Sequence, residues 1–142
     1  MRFLLDTCVI SELVAKQPDP GLVQWIDNVG EEKIYLSAIT IGEIKKGIEK
    51  LPDSKRRSEL AGWLDDDLLI RFKSKILPID TGVMLVWGKL AANLERQGRK
   101  MPVMDSLIAA IALHRKLNLV TRNEDDFVHS GIAITNPWKH GG

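Results

Sequence analysis

The sequence contains one cysteine, no long apolar run and little net charge, and each shortage excludes a class of protein. The single cysteine, Cys8, cannot form an intramolecular disulfide, which is typical of proteins in a reducing cytoplasm. The apolar start of the chain is interrupted by Asp6 and Glu12 and lacks a small-residue cleavage site, and no stretch is long enough to span a bilayer. A net charge of +1 excludes a strongly basic domain and by itself says little in favour of nucleic-acid binding, although the distribution of the charges says more. We therefore expect a cytoplasmic protein that has no membrane partner.

Nitrogen and sulfur ligands for zinc are also scarce. His114 falls inside a predicted helix, and His129 and His140 lie near the end of the sequence. No His/Cys pair has the spacing of a zinc finger or a zinc protease. Any metal site in this chain is therefore expected to use oxygen ligands.

The chain has the length and composition of one globular domain. Its 142 residues suffice for a single core, and a content of 44% hydrophobic and 27% charged residues is ordinary for a soluble protein. No internal repeat, low-complexity tract or linker is evident, so we expect one domain over residues 1–142.

Apolar runs of strand length alternate with segments of helical periodicity. The predicted strands are residues 2–5, 33–36, 76–79, 118–121 and 132–135. The predicted helices are residues 9–15, 20–28, 38–51, 54–70, 81–97 and 103–116. This alternation predicts an α/β fold with a mainly parallel sheet that helices cover on both faces.

Two aspartates stand at the ends of apolar segments. Asp6 follows the first predicted strand, at the position where open α/β sheets bind their ligands, although it is equally suited to cap the next helix. Asp105 precedes residues 106–113, a helical segment that is apolar on nearly every side and therefore predicted to be buried. The helix dipole by itself would also favour an acid there.

Glu43 lies on the apolar side of its predicted helix. A rotation of about 100° per residue places Glu43 close to Ile39 and away from Lys46. A glutamate at the edge of an apolar stripe can instead reach water or pair with Lys46 or Lys50. Such surface pairs contribute only about 0.2–0.5 kcal/mol, so they do not by themselves explain the position.

The fourth acidic position follows the predicted strand 118–121. Glu124, Asp125 and Asp126 lie there in a polar turn, which alone indicates a solvated loop. Considered with the other three positions, however, Asp126 would lie at the same end of the sheet.

Carboxylates that converge in this way require a physical explanation. Two of them about 4 Å apart repel by roughly 4 kcal/mol at an effective dielectric constant near 20. We therefore expect raised pKa values or bound cations. Oxygen ligands favour Mg²⁺ or Mn²⁺ over Zn²⁺.

Four sequence blocks, in this order, together resemble a known family. They are FLLDTCVISE (residues 3–12), SAITIGEI (37–44), MPVMDSLIAA (101–110) and a last block (119–138) that runs from LVTRN through DF to NPW. The set resembles a PIN-domain ribonuclease, most closely the VapC and FitB type of bacterial toxin. The resemblance covers essentially the whole chain, and four linked blocks are far more specific than any one of them.

The resemblance implies a three-layer α/β/α sandwich and a Mg²⁺- or Mn²⁺-dependent endoribonuclease that acts on RNA. It also implies a small antitoxin protein that blocks the site, and it favours a homodimer. By motif match, Asp6 and Asp105 would be the principal metal ligands and Glu43 the third acid. Thr7 or Thr121 would supply a hydroxyl that orients a ligand or a water molecule.

Two positions depart from the family pattern. Many relatives carry an acid directly after the Thr-Arg pair, where this chain has Asn123. We therefore assign Asp126 as the fourth acid and Asn123 as a supporting residue. Cys8 stands where asparagine is frequent, and nothing indicates that it is a nucleophile.

The sequence also offers candidate surfaces for these partners. Trp63, Leu64 and Leu68 form an apolar face on an otherwise charged helix, which we interpret as an exposed surface for a partner chain. The predicted helix 81–97 is the candidate for self-association. The basic clusters available to RNA phosphates are Lys45, Lys46 and Lys50; Lys55, Arg56 and Arg57; Arg71, Lys73 and Lys75; and Arg96, Arg99 and Lys100.

Two other functions fit part of the pattern. In an aspartyl-phosphate phosphatase or receiver, Asp6 would be the phosphorylated group, but the haloacid-dehalogenase pattern places a second aspartate where this chain has Cys8. A PIN domain without nuclease activity would be a binding module, which three well-placed acids argue against.

Overall fold

A parallel sheet forms the centre of the computed structural model, which describes residues 1–140 and the side chains of residues 1–138. Its strands are β1 (Phe3–Leu5), β2 (Ile34–Ser37), β3 (Ile76–Leu77), β4 (Asn118–Val120) and β5 (Ile134–Thr135). They lie in the order β3-β2-β1-β4-β5, and every neighbouring pair is parallel. The predicted parallel sheet is confirmed.

Helices connect the strands and cover the sheet. They are α1 (Thr7–Leu13), α2 (Pro20–Val29), α3 (Ala38–Glu49), α4 (Lys55–Trp63), α5 (Leu69–Arg71), α6 (Thr81–Arg96), α7 (Val103–Arg115), α8 (Glu124–Phe127) and α9 (Pro137–His140). A 3₁₀ turn, Glu31–Lys33, precedes β2, and a π turn, Leu64–Leu68, joins α4 to α5. Over residues 1–140, none of these helices is long and apolar enough to cross a membrane.

Successive residues of the central strands point into two different cores. Leu4 and Leu119 pack with α6 and α7, whereas Leu5 and Val120 pack with α1 to α5 on the other face. All four side chains are at most 1% exposed. Because side chains alternate across a strand, the sheet is the middle layer of the expected α/β/α sandwich.

The structure differs from the predicted elements mainly where short segments depend on their surroundings. The predicted strand 76–79 ends at Leu77, because Pro78 has no N–H group with which to continue the ladder. The predicted turn after β4 contains the four-residue helix α8, and the predicted helix 54–70 contains the π turn.

The apolar face predicted to bind a partner belongs to the core instead. Leu64 and Leu68 are 2% and 4% exposed, and Trp63 packs partly buried against the same cluster. The prediction of an exposed surface at these residues was wrong. Helical periodicity identifies an apolar face, but it does not tell whether another element of the same chain covers that face.

Candidate active site

The carboxyl ends of the strands bring acidic and hydroxyl side chains to one edge of the sheet. Asp6 directly follows β1, and Thr121 directly follows its neighbour β4. Ser37 ends β2 and caps α3, the helix that carries Glu43. Because parallel strands end at the same edge, residues distant in the sequence meet here.

Two short hydrogen bonds hold the Asp6 carboxylate, and the Cys8 thiol adds a longer contact of 3.7 Å to Oδ2. One oxygen, Oδ1, accepts the backbone N–H of Thr7 at 2.8 Å, and Oδ2 accepts the Thr121 hydroxyl at 2.8 Å. Asp6 therefore caps α1 and also faces the site, so its interpretation as a helix cap and its interpretation as a site residue are compatible. Burial raises the pKa of Asp6 above its usual value, although these hydrogen bonds oppose the shift; nearby Glu43 raises it further.

The half-buried Glu43 is tied to the same first turn of α1. Its Oε1 accepts the Thr7 hydroxyl at 2.5 Å, a length typical of hydrogen bonds to a charged acceptor. Thr7 thus contacts both acids, through its backbone N–H and through its side chain. The hydrogen-bond partner of Glu43 in the described part of the chain is therefore a threonine rather than Lys46 or Lys50.

Two further hydroxyl groups lie behind Thr7. The oxygens of Thr40 and Thr7 are 3.0 Å apart, and the Ser37 hydroxyl donates to Thr40 Oγ1 at 3.2 Å. Ser37 and Thr40 were not among the site residues predicted from the sequence. The available signal was spacing, since Thr40 precedes Glu43 by three residues and so lies on the same side of α3.

Asp105 lies half-buried in the first turn of α7. Burial raises its pKa to about 6, and the charges of Asp6, Asp126 and Glu43 contribute to the same shift. The four predicted acids, which come from four separate segments, are therefore close enough to interact electrostatically.

Asp126 reaches this group from the exposed side of α8. The buried side chain of Phe127 fixes the helix against the core, while the backbone N–H of Asp126 donates to the Asn123 carbonyl at 3.1 Å. Asn123 is exposed, and its backbone N–H donates to Thr121 Oγ1 at 3.0 Å. Asn123 therefore contacts the hydroxyl that holds Asp6, and it does so through its backbone.

A buried asparagine near the end of the described chain holds this turn. The Asn136 amide donates to Glu124 Oε2 at 2.9 Å and to the Arg122 carbonyl at 3.5 Å, while its oxygen accepts the N–H of Trp138 at 3.1 Å. The NPW segment was predicted only as part of the family motif, and this contact of Asn136 was not predicted from the sequence.

The donor set fits a hard divalent cation. Carboxylate and hydroxyl oxygens predominate, and burial raises the pKa of the nearby Cys8 thiol, which disfavours its metal-binding thiolate form. Within the part of the chain whose side chains are described, no three His, Cys, Asp or Glu residues are already arranged to hold one ion. The carboxylates interact electrostatically without forming a ready coordination sphere.

Two grooves of similar volume differ in whether they contain a residue of the site. The larger, about 580 Å³, lies between α1, α2 and the α4–α5 segment. The other, about 550 Å³, contains Glu43 and is lined by Lys46, Lys50, Met104 and Leu107. The second contains Glu43, whereas the first contains no carboxylate of the site. Two smaller pockets also contain site residues, one lined by Thr7 and Glu43 and the other by Asn123 and Asp126.

A family model for the PIN domain matches residues 3–131. The chain belongs to the PIN-domain family. This PIN domain is 35% identical to Toxin FitB of Neisseria gonorrhoeae, over 95% of this chain and 97% of that protein. It is also 35% identical to VapC ribonuclease Y4jK of Sinorhizobium fredii, over 96% of this chain and 97% of the relative.

A solved structure agrees with these sequence relatives. The crystal structure of FitAcB from Neisseria gonorrhoeae contains a chain that matches this PIN domain with a TM-score of 0.91 and 34% identity, covering 96% of this chain and 98% of that one. The prediction of a PIN-domain nuclease toxin of the VapC and FitB type is confirmed.

Proposed function

We propose that this PIN domain, formed by residues 1–142, is a metal-dependent endoribonuclease whose site consists of Asp6, Glu43, Asp105 and Asp126. The observation that carries the proposal is the electrostatic interaction of Asp105 with Asp6, Glu43 and Asp126, four acids that come from four separate segments. Such a group repels itself unless it binds protons or a cation.

The four acids would have different roles in binding the ion. Asp6 and Asp105 would hold Mg²⁺ or Mn²⁺ as principal ligands, with Glu43 and Asp126 in support. A bound ion of this kind lowers the pKa of a water molecule and stabilises charge on the phosphate. The hydroxyls of Thr7 and Thr121 keep the carboxylates of Glu43 and Asp6 in place.

Water is the nucleophile in this proposal. No side chain is required to attack the phosphate, and neither is the ribose 2′-hydroxyl. Cleavage should therefore leave a 5′-phosphate and a 3′-hydroxyl.

The groove beside Glu43 suits an RNA strand. Lys46 and Lys50 line it and are exposed, so their charges are available to phosphates. Gly42 and Gly47 also line it and have open space at the Cβ position, which leaves room for a backbone to approach.

End sequencing of RNA that the purified protein has cleaved tests this proposal. We expect cleavage with Mg²⁺ or Mn²⁺, none after chelation, and none by Asp6→Asn. Products that end in a 2′,3′-cyclic phosphate would overturn the water mechanism. A folded wild-type protein that binds RNA without cutting it would instead indicate a binding module.

We also infer a small antitoxin protein as the partner and the cytoplasm as the place of action. The relatives support the partner, since one that is 35% identical is Toxin FitB, and a chain in the FitAcB structure is 34% identical. The wild-type protein should slow growth when expressed alone, and coexpression of its antitoxin should relieve this. Normal growth at full expression would contradict the toxin assignment even if nuclease activity survives.

We also propose a homodimer through the start of α6. Met84 and Leu85 are 41% and 73% exposed there. Adjacent exposed apolar side chains of this size fit an interface. Sedimentation velocity should find a dimer for the wild type and a monomer for Leu85→Glu; a monomeric wild type at tens of micromolar would contradict it.

A further inference from the structure

Three hydroxyl groups form a hydrogen-bonded chain that ends on Glu43. It runs from Ser37 to Thr40 at 3.2 Å, from Thr40 to Thr7 at 3.0 Å, and from Thr7 to the carboxylate at 2.5 Å. Ser37 and Thr40 are both 0% exposed, so water does not compete for these bonds. The chain connects the end of β2, the first turn of α3 and the first residue of α1.

The proton of each hydroxyl in this chain has one available direction. A hydroxyl carries a single proton, and the Glu43 carboxylate accepts the one on Thr7. Thr40 must therefore donate to Thr7, and Ser37 must donate to Thr40, which is the direction observed. The Ser37 oxygen in turn accepts the backbone N–H of Thr40 at 3.0 Å. The backbone thus fixes the first hydroxyl of the hydrogen-bonded chain. Each side-chain proton is directed at the next oxygen on the way to Glu43.

We propose that Ser37 and Thr40 are positioning residues that hold the Glu43 carboxylate in the site through Thr7. An isolated threonine hydroxyl rotates freely among its acceptors. Here the Thr7 oxygen accepts a hydrogen bond from Thr40, so the Thr7 proton cannot turn toward Thr40 and stays directed at Glu43. Buried hydrogen bonds in series also polarise one another, by roughly 10–30% per bond. The inference rests on the proposed function, because it assumes that Glu43 supports a cation.

Substitutions of Thr40 can distinguish a positioning role from a structural role. Ser37 also caps α3, so its replacement would weaken the helix as well as the chain. Thr40→Val keeps the side-chain shape and removes only the hydroxyl, while Thr40→Ser keeps the hydroxyl. Thr135→Val is a matched control, because its hydroxyl donates to Asn118 Oδ1 at 2.7 Å, outside the chain that leads to Glu43.

The experiment measures Mn²⁺ affinity from the electron paramagnetic resonance signal of the free ion, with thermal unfolding as a check on folding. Partners that orient a metal ligand typically contribute about 10–100-fold to affinity, so Thr40→Val should bind Mn²⁺ about 10-fold more weakly. Thr40→Ser and Thr135→Val should stay within about twofold of the wild type. If Thr40→Val does not fold, Thr40→Ala takes its place, because it also removes the hydroxyl and alanine favours a helix; the same loss is expected.

Crystal structures of the metal-free variants separate this inference from the proposed function. In Thr40→Val the Glu43 carboxylate should move away from Thr7, whatever the protein binds. Wild-type Mn²⁺ affinity in folded Thr40→Val, or an equal loss in Thr135→Val, would overturn the inference. If Asp6→Asn does not change Mn²⁺ binding, the proposed function fails, and the position of Glu43 in the Thr40→Val structure still decides the inference.

Discussion

The two halves of the carboxylate site are built differently. Asp6 and Glu43 each accept a hydrogen bond from a threonine hydroxyl, which fixes where each carboxylate points. Asp105, in the described part of the chain, has only burial and neighbouring acids acting on its pKa. Asp126 is exposed on a helix of four residues. We infer that the first half sets the geometry of the site, whereas the second half supplies charge that responds to a cation.

The largest effect should be the same in both halves. Asp6→Asn and Asp105→Asn should each reduce Mg²⁺-dependent cleavage by about 10³-fold or more, because metal catalysis contributes several kcal/mol and each 1.4 kcal/mol is tenfold. Single-turnover cleavage at saturating Mg²⁺ measures this loss. Asp65→Asn, an exposed aspartate on the π turn, is the matched control and should keep wild-type activity. A wild-type rate from either site variant would remove that residue from the site.

A smaller effect should distinguish Asp126 from Asn123. Asp126 interacts electrostatically with Asp105, whereas Asn123 contacts the site through its backbone N–H. Hard cations prefer anionic oxygen, so Asp126→Asn should weaken Mn²⁺ binding and cleavage on the order of tenfold, and more than Asn123→Ala does. Metal titrations of the two variants give the ranking. A larger loss at Asn123 would show that its amide, rather than the Asp126 carboxylate, completes the site.

The role of Asp126 is harder to predict from the sequence than the roles of Asp6 and Asp105, because it depends on tertiary contacts. Asp6 and Asp105 are predictable because strand ends and helix starts are local features, and a parallel sheet brings them together. Helix α8 is too short to be stable alone and depends on Phe127 and Asn136, which are tertiary contacts.

The same limit explains the other differences. The Thr40–Thr7 contact joins residues 33 positions apart, so no local pattern indicates it. The apolar face at Leu64 and Leu68 was identified correctly as apolar but is covered by the chain itself. Local sequence gives the ends and faces of elements, whereas what covers or supports them depends on the rest of the fold.

The two halves should also differ in how they affect stability. The folded-state pKa of Asp105 is about 6, above its usual 3.8, so the native protein binds more protons between these values and loses stability as pH rises through them. Asp105→Asn should remove this loss and raise the unfolding free energy of the metal-free protein at pH 8 by about 1 kcal/mol, after allowance for solvent screening. Urea unfolding at pH 5 and pH 8 measures the difference.

Asp6→Asn is the comparison for that measurement. Its carboxylate accepts two short hydrogen bonds, one on each oxygen, whereas an amide accepts through one oxygen only. Relief of repulsion is therefore offset by a lost acceptor. We expect a smaller gain than at Asp105, or none. Equal stabilisation by both variants would mean that the hydroxyl support at Asp6 contributes nothing to the difference between the two halves.

The smallest effect should come from Cys8, whose long sulfur contacts add little to the half that threonine hydroxyls support. Its sulfur is 3.7 Å from Asp6 Oδ2 and 3.6 Å from Thr121 Oγ1, contacts much weaker than the 2.8 Å bond between those two residues. Burial raises the pKa of the thiol, which disfavours the thiolate that a nucleophile or a metal ligand requires. Cys8→Ser should therefore keep cleavage and Mn²⁺ affinity within about twofold, and the wild-type thiol should react with iodoacetamide more slowly than free cysteine at pH 7.5. A tenfold loss of Mn²⁺ affinity in a folded Cys8→Ser variant would instead make the thiol part of the site, and the supported half would then include a sulfur ligand.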